Sequence, residues 1–163
     1  MHKFLQGLFS YDLLIELRES LITVKTFSDN KVVEVIPAVA TDKSTGKSIV
    51  REIGEKALSF VGPNTEVIKP FTHSRSFVAD FESAEKIIQH AIRKIHDGTS
   101  FKPAPRVVMH QLEKNEGGLT GIEIRVLYEL ALGAGARDAL VYSGSPINVE
   151  TDSYEGIKSR IDT

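Results

Sequence analysis

Apolar and polar positions alternate over the first part of the chain. Residues 11–17 and 21–27 are two apolar runs joined by Arg18, Glu19 and Ser20. In the second run Leu21, Thr23 and Lys25 stand against Ile22, Val24 and Thr26. A period of two in short runs bounded by polar residues predicts an antiparallel strand pair. Ser28, Asp29 and Asn30 form a turn cluster, since short polar side chains bond their own backbone. Residues 32–39 predict a third strand, with Pro37 at its edge or end because proline offers no amide to a ladder. The polar residues 41–48 with Gly46 predict a loop or hairpin tip. Residues 49–53 predict a short strand and 55–60 a short helix stopped by Gly62 and Pro63. Residues 66–70 predict one more extended stretch.

The period then changes to that of a helix. Ala84, Ile87, Ile88, Ala91, Ile92 and Ile95 form one stripe, which predicts a helix over 83–96. Asp80, Glu82 and Glu85 lie at its start, Arg93, Lys94 and His96 at its end, as the helix dipole favours. Gly98 stops it. Residues 106–110, entered from Pro103 and Pro105, read as a buried strand. Residues 119–132 predict a second helix with Leu119, Ile122, Val126, Leu127 and Leu130 inward, stopped at Gly133 and Gly135. Residues 139–142 predict a strand. Tyr154, Ile157 and Ile161 share one face of a short helical tail. Three meandering strands, an irregular insertion, then alternating helices and strands give the α/β class: one mixed sheet with flanking helices. This is the order of a ribonuclease-H-like fold.

Composition narrows the function. The chain has 163 residues, which suits one domain, or one domain with a small appended lobe. The net charge is −2, so no basic field holds nucleic acid. There is no cysteine, which removes thiol catalysis and thiolate metal sites and suits a cytoplasmic protein. No run of about 18 apolar residues is present to span a membrane. The five histidines form no i, i+4 pair, so no metal site is expected, and His90 and His96 read as solvated helix residues.

Several short motifs have residue types that could carry chemistry. Ser44-Thr45-Gly46-Lys47-Ser48 ends like a phosphate-binding loop, with Lys47 and Ser48 as weak candidate ligands. The first glycine of that pattern is replaced by Thr41 and no clear helix follows, so a hairpin tip reads better. Gly133-Ala134-Gly135 follows a helix and precedes a strand, the reverse of a dinucleotide fingerprint. Asp12, Glu16, Asp80 and Glu123 would suit two-metal phosphodiester cleavage if they converged, but such acids at element ends commonly serve as caps. Phe4, Leu5, Leu8 and Phe9 share a helical face beside Lys3. Residues 1–10 therefore read either as an amphipathic membrane-contact segment or as a leader that packs on the domain.

Four stretches in register resemble the MreB family of bacterial actin-like cell-shape proteins. The opening Phe4-Leu5-Gln6-Gly7-Leu8-Phe9-Ser10-Tyr11-Asp12-Leu13 resembles the family's start. Val78-Ala79-Asp80-Phe81 with Glu85-Lys86 resembles its V-I-A-D-F…E-K, and Phe101-Lys102-Pro103-Ala104-Pro105-Arg106-Val107 its R-P-S-P-R-V strand entry. Gly133-Ala134-Gly135-Ala136-Arg137 resembles its G-A-G-A-R turn. The resemblance covers residues 1–149. It implies an actin-like first large subdomain over 11–149, with a small lobe inserted at about 39–65. Residues 150–163 would stand in for a carboxy-terminal helix that packs back on this subdomain. On this resemblance, the family's second phosphate loop and most of its adenosine pocket would have no counterpart in these residues.

The departures shape the functional expectation. The family's first phosphate loop, D-L-G-T-A-N-T, corresponds to Glu16-Leu17-Arg18-Glu19-Ser20-Leu21-Ile22. Arg18 puts a side chain where glycine lets phosphate approach, and Glu19 puts a negative charge beside an anion. Glu123 keeps the place of the family's water-orienting glutamate, but phosphoryl transfer needs clamps as well as a positioned water. The family's P-V after the central strand is Gln111-Leu112, followed by an altered loop over 113–118. The resulting expectation is a protein that is no enzyme, has no catalytic residue beyond a vestigial Glu123, and holds no cofactor. It would act by protein contact, with a full-length MreB-type filament as partner. Contact at the inner membrane face through Phe4, Leu5, Leu8 and Phe9 and a homodimer through exposed sheet edges suit the same picture. The alternative is an ATPase using the Glu123 region or the 44–48 loop.

Overall fold

A computed structural model describes residues 11–100 and 103–163. In chain order its elements are strands β1 (Asp12–Leu17), β2 (Ile22–Thr26), β3 (Val32–Val35), β4 (Val39–Asp42) and β5 (Ile49–Ile53), then helix α1 (Glu55–Leu58) and strand β6 (Thr65–Ile68). Helix α2 (Phe81–Ile95), strand β7 (Arg106–Gln111), helix α3 (Gly121–Gly133), strand β8 (Asp138–Tyr142) and helix α4 (Tyr154–Ile161) follow.

The main sheet runs β3-β2-β1-β7-β8. β1 and β2 pair antiparallel, with Ile15 opposite Val24. β1 and β7 pair parallel, with Ile15 beside Met109, and β7 and β8 pair parallel, with Val108 beside Leu140. β1 is central and covered on both faces, which is why it is apolar almost throughout rather than alternating. Leu13, Ile15, Leu17, Val107 and Met109 face α2 and α3 in the larger core. Leu14 and Val108 point the other way, into a cluster with Tyr142, Ile147, Tyr154 and Ile157 that α4 helps to build.

α2 is the helix of the isoleucine stripe, and all six stripe residues are buried. It starts at Phe81 because the Asp80 side chain accepts from the Ser83 amide at 2.8 Å. His96 is buried, with its ring edge-on to Tyr11 at 4.6 Å between centroids, which corrects its reading as a solvated residue. In α3, Leu127, Leu130 and Ala131 carry the packing, whereas Ile122 is 78% exposed. Its expected inward position is corrected: the first turn of α3 serves the cap rather than the core. Ile161, the last residue of α4, also lies outside the cluster that buries Tyr154 and Ile157.

The run 32–39 is two strands, not one. Val32–Val35 pairs with β2, whereas Val39–Asp42 lies in a second sheet ordered β5-β4-β6. Between them the Ala38 amide bonds the Ile36 carbonyl at 2.8 Å across Pro37. That tight three-residue turn redirects the chain from one sheet to the other. Ala38, Ala40 and Ala57 make a small separate core there, with Ile36 and Phe60 against it.

One network ties α4 to the start of the sheet. The Arg106 guanidinium grips Asp12 with two bonds, Nε to Oδ1 at 2.8 Å and Nη2 to Oδ2 at 2.7 Å. Its Nη1 reaches Glu155 at 2.5 Å, and its carbon lies 4.2 Å from the centre of the Tyr154 ring. The Tyr154 hydroxyl donates to Asp138 at 2.9 Å. Three strands' first residues are thus linked to the first turn of one helix.

Candidate functional site at the carboxyl ends of β1 and β7

Because β1, β7 and β8 run parallel, their last residues Leu17, Gln111 and Tyr142 open on the same edge. In open α/β sheets ligands bind in the crevice beyond those ends. Here the edge is built from the β1–β2 turn, the loop after β7 and the start of α3.

The turn is Arg18, Glu19 and Ser20. It closes on itself through the Arg18 amide, which bonds the Leu21 carbonyl at 3.0 Å. The loop after β7 folds against it. The Leu112 amide bonds the Leu17 carbonyl at 2.9 Å, and Glu113 Oε2 accepts from the Glu19 amide at 2.6 Å. Lys114, in a left-handed conformation with φ of 52°, pairs with the Glu19 carboxylate and donates to the His73 carbonyl at 2.6 Å. Gln111 holds this loop from below: its Nε2 donates to the carbonyls of Glu113 at 2.9 Å and Lys114 at 3.1 Å. Asn115 Nδ2 returns to the Gln111 carbonyl at 2.9 Å.

Glu123 stands at the third position of α3. Its Oε2 accepts from the Thr120 amide at 2.7 Å and the Thr120 hydroxyl at 2.8 Å, while the Glu123 amide bonds that hydroxyl in return. This capping box satisfies two otherwise orphaned donors. The Thr120 backbone bond, then its side-chain bond, holds the Glu123 carboxyl below the usual glutamate range. Glu123 and Gln111 share a pocket of about 60 Å³ with Phe77 and Val126.

Glu16 is buried beside His110, its register neighbour on β7, and pairs with Lys25 at 3.0 Å. His110 is also buried, edge-on to Tyr142 at 5.0 Å, with no partner for Nδ1. Burial lowers its pKa, against smaller upward pulls from the Gly144 backbone and Glu16. The four acids weighed for metal chemistry do not converge. Asp12 grips Arg106, Glu16 pairs with Lys25, Asp80 caps α2 and Glu123 caps α3. Among the described residues no group of three His, Cys, Asp or Glu could hold a metal ion. Lys47 and Ser48 lie between the antiparallel strands β4 and β5, far from any strand-to-helix phosphate loop. Phe4, Leu5, Leu8 and Phe9 lie outside the described residues.

As a phosphate cradle the edge is partly spent. The Arg18 amide serves the turn and the Glu19 amide serves a carboxylate. Beside the turn a cleft of about 350 Å³, lined by Glu19, Ser20, Lys69 and Thr72 among others, separates it from the small sheet.

The family model for MreB/Mbl protein matches residues 11–147. This chain belongs to the MreB/Mbl family. It is 30% identical over 167 aligned positions to the cell shape-determining protein MreB of Escherichia coli K12. That match covers 94% of this chain and 46% of the relative, so the chain spans about half the length of the curated MreB proteins it matches. Among solved structures it resembles MreB5 of Spiroplasma citri bound to ADP, with a TM-score of 0.58, 17% identity, and coverage of 81% of this chain and 38% of that one. The AMPPNP-bound form of the same protein gives a TM-score of 0.54 at the same identity and coverage. These likenesses show the actin-like, ribonuclease-H-like fold.

Membership in the MreB/Mbl family corrects one expectation. The family is one of actin-like ATPases, so the reading of a protein that is no enzyme, drawn from Arg18 and Glu19, is overturned. Two substituted positions in one turn are a weaker guide than the match across the whole sheet. Sequence reasoning marks Gln111 and the loop 113–118 as departures from the family pattern but does not assign Gln111, Glu113, Lys114 and Asn115 their part in organising this edge. The only local signal was a polar run ending in Gly117 and Gly118, directly after a buried strand.

Proposed function

We propose that the chain acts in bacterial cell shape as the first large subdomain of an MreB-type actin, through protein contacts with a full-length MreB-type filament in the cytoplasm. The family match over residues 11–147 carries this reading. It is supported by a main sheet whose two faces are both covered by the chain's own helices, α2 and α3 on one face and α4 on the other. Co-sedimentation with filaments of full-length MreB tests it. Saturable pelleting, or a change in filament length, is the expected result; the absence of both would overturn the reading.

A second reading concerns the edge of β1 and β7. The ADP-bound and AMPPNP-bound forms of the Spiroplasma neighbour favour a nucleoside polyphosphate there, with its phosphate tail toward Arg18, Glu19 and Ser20 and with Glu123 near the reacting water. Thermal unfolding with and without Mg-ATP tests it. At about 100 times the dissociation constant a ligand adds roughly 2.7 kcal/mol. For this chain length that is a rise of about 5–11 °C. An unchanged transition at millimolar Mg-ATP, in the wild type and in Glu113→Ala alike, removes the reading. Residues 1–10 would add contact with the membrane surface; Phe4→Asp with Phe9→Asp is expected to abolish liposome binding, and intact binding would dismiss that contact.

A further inference from the structure

We infer that Glu113 is an internal occupant of the phosphate position: its carboxylate closes the β1–β2 turn and must leave before a nucleoside polyphosphate can bond the Glu19 amide. The inference rests on the nucleotide reading above and adds a gate to it. A backbone amide has one hydrogen. At 2.6 Å, Glu113 Oε2 holds the hydrogen of Glu19 in a short, charge-assisted bond. A phosphate oxygen would use the same donor, so the two anions exclude each other. The contact is reciprocal, because the next residue, Lys114, pairs with the side chain of the same Glu19. Neighbouring loop residues thus engage both the amide and the carboxylate of one turn residue. Gln111 and Asn115 fix the loop in this position from the end of β7. Neither Glu113 nor Glu19 is buried, so solvent can receive the carboxylate when it swings out. The cleft of about 350 Å³ beside Glu19 and Ser20 provides room for the incoming group, and Lys69 on its wall supplies a cation. Departure of Glu113 also removes a negative charge from the phosphate's path, so opening and binding favour each other.

The test uses the full chain, with Glu113→Ala and Glu113→Gln beside the wild type. Circular dichroism verifies the fold, and titration calorimetry with Mg-AMPPNP gives each Kd. The gate predicts that Glu113→Ala binds about tenfold tighter or more, with Glu113→Gln in between because it keeps the length and loses the charge. Glu113→Gln carries the comparison should Glu113→Ala lose its fold. Equal, measurable affinities for wild type and variants overturn the gate and leave the nucleotide reading standing. No binding by any of the three at millimolar ligand defeats the nucleotide reading, and the gate with it.

Discussion

Replacing Arg106 with methionine tests whether the network at the start of the main sheet holds α4. The guanidinium makes a two-bond fork with Asp12, and the two side chains are 19% and 18% exposed. Its loss leaves Asp12 as a largely buried carboxylate without its cation. Breaking a fully buried pair from one side costs about 3–5 kcal/mol. Solvent reaches nearly a fifth of this pair, so about 2–3 kcal/mol is the reasonable share. Removing the cation from above the Tyr154 ring, 4.2 Å away, adds about 0.5–1 kcal/mol. The bond to Glu155 contributes little because that partner is 68% exposed. The sum is about 3 kcal/mol, which at this chain length lowers Tm by about 6–12 °C. Urea unfolding of Arg106→Met, Asp12→Asn and the double variant would separate the terms. The two single losses should overlap strongly, since each removes the same interaction. A loss under about 1 kcal/mol, or additive single losses, would refute the assignment of this fork as the anchor of α4. Arg106→Lys should recover only part of the loss, because a point charge does not reproduce the fork.

Three other changes follow from the same contacts. Thr120→Ala removes the hydroxyl of the α3 capping box and is expected to cost about 1 kcal/mol in urea unfolding; no change would show that the cap is idle. Since the Glu123 carboxyl is held below its ordinary range, its contribution is present above that range and disappears as pH falls through the lowered value. His110 is held neutral by burial, so stability is full above its ordinary value near 6.5 and is lost as pH falls toward the lowered folded value. His90, lowered by burial and by Lys94 and Arg93, adds to that slope, and His110→Asn should flatten the His110 share of it in unfolding curves between pH 7 and 5. A chain stopped after Glu150 loses Tyr154 and Ile157 from the cluster with Leu14 and Val108, and its calorimetric transition should broaden or vanish. A sharp, unshifted transition would mean that α4 does not complete the fold.

How much of this could be read from the residues depends on where the information lies. The isoleucine stripe of α2 is local and periodic, and one buried face enforces it, so the helix is legible to within two residues of its start. β1 and β2 are legible because their apolar runs are bounded by the charged turn at Arg18 and Glu19. Residues 32–39 mislead because a change of sheet leaves the apolar pattern unbroken, and Pro37 alone marks the bend. His96 misleads because its burial depends on Tyr11, which is distant in sequence. The candidate site is harder still. Glu19 and Glu113 are 94 residues apart, and nothing in either neighbourhood announces that a carboxylate will meet an amide. Arg18 and Glu19 suggested a lost activity when read alone. In the structure the same turn is braced by a loop that no single-sequence pattern encodes.

The position of β1 has a consequence for the order of synthesis. β2 reaches it at once through a short turn, but its other neighbour is β7, which begins at Arg106. At about 5–20 residues per second, a nascent chain carries β1 with one unpaired edge for roughly 5–20 seconds. That edge is Asp-Leu-Leu-Ile-Glu-Leu, a largely apolar strand with one charge at its start and one near its end, and such edges pair readily with other chains. The isoleucine face of α2 emerges during the wait and can cover one side of the strand, but it cannot supply the missing ladder. How quickly Arg106–Gln111 arrives and pairs therefore sets how long that edge stays open during synthesis.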